Sequence, residues 1–144
     1  MTHTRFLRSA LLASVLSAAS LTSAFAQDAI KINYNRCDGN YGNWGLHIFQ
    51  RGPGGPAVPG VSWANPVDPA GKSDFGVYWN LKLADFPDGK VNYIIHKGEN
   101  KEQGGKDMQF DGNTTKEIWV NSSDRKIYTS ADDAKKGREE NPCK

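Results

Sequence analysis

Several things this chain lacks narrow what it can be. It has only two cysteines, Cys37 and Cys143. Neither lies near His47 or His96 at zinc-ligand spacing, so no metal site is expected. There is no nucleophile elbow, metalloenzyme motif or pair of carboxylates in a recognisable catalytic block. Acyl transfer, metal-assisted hydrolysis and two-carboxylate glycoside hydrolysis therefore have no carrier residues, and no cofactor is expected. No internal repeat is present. Beyond the N-terminus no apolar run approaches the roughly 20 residues of a membrane helix, so membrane insertion is not expected.

An excess of one charge is also missing once the N-terminus is set aside. Arg5 and Arg8 precede an apolar run around Leu11 to Leu21 that ends in Ala24-Phe25-Ala26. This is the form of a secretory signal peptide over residues 1–26, cleaved after Ala26, which predicts a soluble protein that is secreted or periplasmic. The residue directly after the cleavage site is Gln27 and not a cysteine, so a lipid anchor is not expected. Two of the eighteen basic residues and none of the sixteen acids fall in the leader. The remaining chain is formally neutral and gives no electrostatic reason to expect nucleic acid or an anionic membrane as partner. About 118 residues remain, enough for one core but small for a catalytic domain with a cleft.

The strongest pattern is period-two alternation. Ile30, Ile32 and Tyr34 alternate with Lys31, Asn33 and Asn35; Phe75, Val77, Trp79, Leu81 and Leu83 alternate with polar or small residues; Val91, Tyr93 and Ile95 share a face. The turn Cys37-Asp38-Gly39-Asn40 predicts that the first strand reverses and returns as Trp44 to Gln50. Within that return, Trp44, Leu46 and Ile48 read as core. His47 and Phe49 lie side by side on the opposite face, either as an ordinary half-buried sheet surface or as flat rings for a sugar or aromatic ligand.

Arg51 to Gly60 is seven-tenths Gly and Pro and reads as a surface loop uninformative about function. Trp63 behind it either plugs a sandwich edge or faces a ligand. The polar stretch from His96 to Phe110 is either solvated filler or a platform for Lys97, Lys101, Asp107 and Gln109. Glu117 to Val120 and Lys126 to Thr129 complete about seven strands. With no convincing helix beyond one turn capped by Ser130, the fold class expected is all-β: an antiparallel immunoglobulin-like β-sandwich. The domain reading is a leader at 1–26, a sandwich at 27–130 and a charged tail at 131–144. In an oxidising compartment Cys37 and Cys143 are expected to form a disulfide tying the tail to the first turn, worth about 4 kcal/mol; free thiols or an intermolecular bridge are the alternatives.

Four ordered blocks, NYNRCDGNYGNWGLHIF, WANPVDPAGKSDFGVYWNLKL, VNYIIHKGENKEQGGKDMQFD and EIWVNSSDRKIYTS, resemble the pullulanase-associated carbohydrate-binding module of family forty-one across residues 30–129. The resemblance implies a noncatalytic β-sandwich that binds α-glucans such as starch, glycogen and pullulan, and that is usually attached to a debranching enzyme. By position, the family's two stacking tryptophans fall on His47 and Phe49, and its polar Lys and Asp fall on Lys101 and Asp107. The loop spacing also admits Lys97 or Lys106 in place of Lys101. Rings would cover sugar faces while Lys donates to, and Asp accepts from, glucose hydroxyls.

Replacing both tryptophans by smaller rings removes stacking area, and each change could weaken binding several-fold at about 1 kcal/mol. If His47 stacks on sugar, protonation near the ordinary pKa of about 6.5 is expected to alter binding between neutral and mildly acidic pH. The expected function is a stand-alone secreted α-glucan-binding module, with an amylolytic enzyme encoded separately as a possible partner. The alternative is a secreted protein-interaction or adhesion sandwich whose sugar site has decayed.

Overall fold

The computed structural model describes residues 28–144; the leader expected at 1–26 lies outside them. Eight strands run in chain order: β1 (Ala29–Asn35), β2 (Gly45–Phe49), β3 (Gly71–Lys72), β4 (Val77–Lys82), β5 (Lys90–Lys97), β6 (Asn100–Lys101), β7 (Met108–Asp111) and β8 (Glu117–Asn121). They form two sheets, one ordered β3-β4-β1-β8 and the other β2-β5-β6 with β7 also paired to β5. Among the described residues this is a two-layer, mostly sheet architecture with one short α-helix.

Alternation predicts the core correctly because each sheet buries one face against the other. Ile30, Ile32, Tyr34, Val77, Trp79 and Leu81 of the first sheet meet Leu46, Ile48, Val91, Tyr93 and Ile95 of the second in one cluster, which also takes in Trp44. The pairing departs from the expected hairpin. β1 is antiparallel to β4 and parallel to β8, while β2 pairs with β5. The turn after β1, with Gly39 and Asn43 at positive φ, thus carries the chain from one sheet to the other. The rings of Tyr34 and Trp44 lie 6.0 Å apart. They meet within the core with their planes inclined by 54°, where a hairpin would set them side by side on one sheet.

Three further expectations are corrected. The strand expected over Asp74 to Leu83 is β4, bounded by a tight turn at Ser73–Gly76 and a 3-10 turn at Leu83–Asp85. Lys126 to Thr129 contributes a single bridge, Trp119 to Tyr128, rather than a strand. The tail holds a full helix, α1 (Ala131–Glu140), where one turn was expected. Ser130 caps it, its hydroxyl accepting from the Asp133 amide at 3.1 Å, with Asp132 and Asp133 in the first turn and Arg138 in the last. Only Ala134 and Gly137 are buried on it, so no apolar stripe announced it in the sequence. The helix is held by tertiary contacts instead. Asn121 donates to the Ala134 carbonyl at 2.7 Å, and Gly137 lies so close to Tyr128 that a Cβ would come within 1.9 Å of its hydroxyl. The disulfide Cys37–Cys143 ties the tail to the first turn, as expected.

Candidate functional site

The outer face of the second sheet carries the rings singled out in the sequence. His47 and Phe49 stand two residues apart on that face of β2, with ring centroids 5.9 Å apart and planes inclined by 24°. On the adjacent β5, Ile94 pairs with His47, Asn92 with Phe49 and His96 with Gly45. Phe49 keeps 3 % of its surface and Ile94 6 %, so they make a floor rather than an open platform. The Gly-Pro-rich loop produces this burial. It bends back to pair Ala57 with Phe49, and at Gly55 it runs so close to Gln50 that a Cβ would lie 1.7 Å from the Gln50 carbonyl oxygen. The segment read as uninformative thus builds a wall of the site.

Trp63 supplies what the strand pattern could not show. Its indole stacks on His96, centroids 3.7 Å apart and planes inclined by 12°, and stands edge-on to His47 at 5.5 Å. The indole nitrogen donates to Glu99 at 3.0 Å, and Lys101 Nζ lies 5.0 Å from the ring centroid. His47, Phe49, Trp63, Ile94, Lys101 and Asp107 together line one shallow hollow of about 220 Å³, with Gly54 and Gly55 closing it. The structure therefore brings all four sequence-predicted residues to one place, together with the indole of Trp63. Lys97 and Lys106 do not line the hollow. Gln109 also lies outside it, donating to Asn92 at 2.7 Å.

The loop bearing Lys101 and Asp107 is fixed from beneath. Between them in sequence, Glu102 is buried. Its carboxylate accepts from the Tyr34 hydroxyl, from Arg36 at 2.9 Å and from the Ser123 amide at 2.9 Å. Burial and the neighbouring carboxylate push the Tyr34 hydroxyl far above its ordinary pKa, so it stays a donor. Gln103 donates to the Lys126 carbonyl at 3.2 Å. Charge partners inside the fold thus hold the backbone, while Lys101 and Asp107 themselves remain exposed.

Desolvation holds the His47 imidazole below its ordinary pKa, against the opposing pull of the Ser62 backbone and Asp107. Burial thus favours the neutral ring and shifts its titration below the pH window expected from the sequence. Chemically, the hollow offers aromatic and apolar surface, one cation and one carboxylate. No group of three or more His, Cys, Asp or Glu able to hold a metal ion occurs among the described residues.

Comparison with known proteins places this geometry in context. The family described as bacterial pullanase-associated domain matches residues 28–129. An alpha-amylase of Streptomyces lividans is 35% identical over 79 residues, which are 54% of this chain and 8% of that protein. Among solved structures, streptococcal family 41 carbohydrate-binding modules described in alpha-glucan recognition superpose with a TM-score of 0.56 at 23% identity, over 72% of this chain and 48% of theirs. Ligand-free PulA from Klebsiella pneumoniae gives 0.60 at 20% identity, over 74% of this chain and 11% of that one. The chain thus spans about a tenth of the large enzymes it matches, and the structural likenesses speak for the fold.

Proposed function

The chain belongs to the bacterial pullanase-associated domain family, and from that membership together with the ring-lined hollow we propose that it binds α-glucans such as starch, glycogen and pullulan without cleaving them. The observation that carries this reading is the convergence of His47, Phe49, Trp63, Lys101 and Asp107 on one hollow. Aromatic faces against the C–H faces of glucose, with a cation that donates and a carboxylate that accepts at its rim, is the complementarity a neutral polyol requires. In this reading Phe49 is the floor, His47 and Trp63 are the stacking rings, and Trp63 offsets the indoles absent from β2.

The same proposal covers the setting. The two sheets are read as an immunoglobulin-like sandwich over residues 27–130, followed by a helical tail over 131–144. The leader over 1–26 is removed after Ala26, and the module works in the periplasm or outside the cell, where the Cys37–Cys143 bridge is stable. A separately encoded amylolytic enzyme is the partner that would profit from a noncatalytic binder.

Affinity electrophoresis of the oxidised protein through gels containing pullulan, glycogen, amylose or no polysaccharide tests the function. Retardation by an α-glucan, weakened in Lys101→Ala, is expected. Equal mobility in every gel would overturn the reading and favour a protein-interaction sandwich.

A further inference from the structure

The outer face of the other sheet carries a second hollow, larger than the first at about 470 Å³ and within the size range of small-molecule sites. Its floor is set by the parallel pairing of β1 and β8, which places Lys31 beside Glu117, Asn33 beside Trp119 and Asn35 beside Asn121. These residues alternate with the buried Ile32, Tyr34, Ile118 and Val120 and so face outward. One wall is the turn at Ser73–Phe75, and the other is α1, which presents Ala131, Lys135 and Arg138 from one helical face.

We propose that this hollow is a second carbohydrate site, taking a neutral pyranose unit over the indole of Trp119. Three features specify the ligand class. Trp119 is half-buried on the floor, offering an apolar surface to a sugar's C–H face. The amide nitrogens of the three asparagines are already engaged: Asn33 donates to Glu117 and the Ile118 carbonyl, Asn35 to the Phe75 carbonyl at 2.6 Å, and Asn121 to the Ala134 carbonyl at 2.7 Å. Asn33 and Asn121 are buried, so the amide that reaches the hollow is that of the half-buried Asn35, whose oxygen accepts and whose second N–H donates, as a sugar hydroxyl requires. Lys31 lies 3.4 Å from Glu117, and Arg138 already donates to the Ser122 carbonyl at 3.2 Å. With Lys31, Lys135 and Arg138 set against Asp74 and Glu117, the lining carries one net positive charge, close to the balance that suits an uncharged ligand.

The helical wall lies beyond residue 129, where the family match ends. The floor thus lies within the matched residues and one wall outside them, the latter tied down by Cys143. The two hollows lie on the outer faces of opposite sheets, so one protein would engage two separate glucan strands and bridge them. The choice of an α-glucan as the sugar rests on the reading above; the second hollow does not.

The test is a titration of the oxidised protein with maltotetraose, following the indole N–H resonances of Trp63 and Trp119 separately by 1H–15N NMR. Both are expected to shift, each with its own saturation curve. Ala131→Phe, which fills the second hollow without altering the strands, is expected to abolish the Trp119 response and leave that of Trp63. Trp119→Ala is expected to leave the Trp63 curve intact. A Trp63 response with no Trp119 response overturns the second site and leaves the first. A Trp119 response alone supports the second site and overturns the first, and silence at both overturns both. A Trp119 shift that survives Ala131→Phe, or that equimolar glycerol reproduces, also overturns the second site.

Discussion

Trp63 lies flat on His96, their ring centroids 3.7 Å apart, and this contact brings a loop indole onto a sheet face whose own strand carries no tryptophan. His96 is itself buried, with its Nδ1 against the Gly98 carbonyl oxygen at 2.9 Å, so the stack has a fixed base. Trp63→Ala is expected to weaken α-glucan retention several-fold or more, corresponding to about 1 kcal/mol or above. Melting temperature should change little, because Trp63 is half-buried at the surface. Unchanged retention in affinity gels would remove Trp63 from the site.

Glu102 carries the loop on which Lys101 and Asp107 stand. Glu102→Ala would leave the Tyr34 hydroxyl without its carboxylate acceptor and Arg36 with Asp38 as its remaining acid. A loss of about 2–3 kcal/mol is expected in urea denaturation, with a smaller loss for Glu102→Gln, which keeps an acceptor. A Glu102→Gln variant as stable as the wild type would show that the charge contributes nothing beyond hydrogen bonding, and one no more stable than Glu102→Ala would show that a neutral acceptor recovers nothing.

The pH dependence follows from His47. Because burial lowers its pKa in the folded protein, the unfolded chain takes up this proton first, near pH 6.5. The stability contributed by the neutral ring is present above that value and is lost as pH falls toward the lower folded pKa. Glucan affinity should accordingly be flat from pH 7.5 to about 6.5 and change only in more acidic solution. A midpoint at or above 6.5 in an NMR titration of the His47 ring protons would contradict this assignment.

Gly137 and Tyr128 test the docking of α1. Gly137→Ala gains helix propensity, but its Cβ would collide with the Tyr128 hydroxyl, which donates to Asp124 at 2.7 Å. A net loss of about 1–3 kcal/mol is expected from overpacking. Tyr128→Phe in the same background should recover part of it, and a stabilised single variant would show that the helix is not pinned there.

Reduction of Cys37–Cys143 removes the outer tether of α1. A loss of about 4 kcal/mol is expected by the chain-entropy argument. Hydrogen exchange should rise first in residues 131–140, before the strands. Uniform acceleration across the sheets would show that the tail and the sandwich unfold together.

The sequence by itself determined the alternating strands, the core they bury and the pairing of the two cysteines, and its resemblance to a family singled out His47, Phe49, Lys101 and Asp107, which the fold gathers at one hollow. Each is a local or composition-level signal: a period of two, a single possible pair, an ordered set of blocks. It could not determine which sheet each strand joins, because alternation states which face is buried and not against what, and so β1 and β2 read as a hairpin when they face each other across the core. Nor could it place Trp63 or α1. The indole reaches the site only because a loop rich in Gly and Pro folds over Phe49. The helix has almost no apolar face, and hydrogen bonds, one glycine contact and a distant disulfide hold it in place. Tertiary structure decided these, because the free energy that fixes them comes from partners far away in the chain.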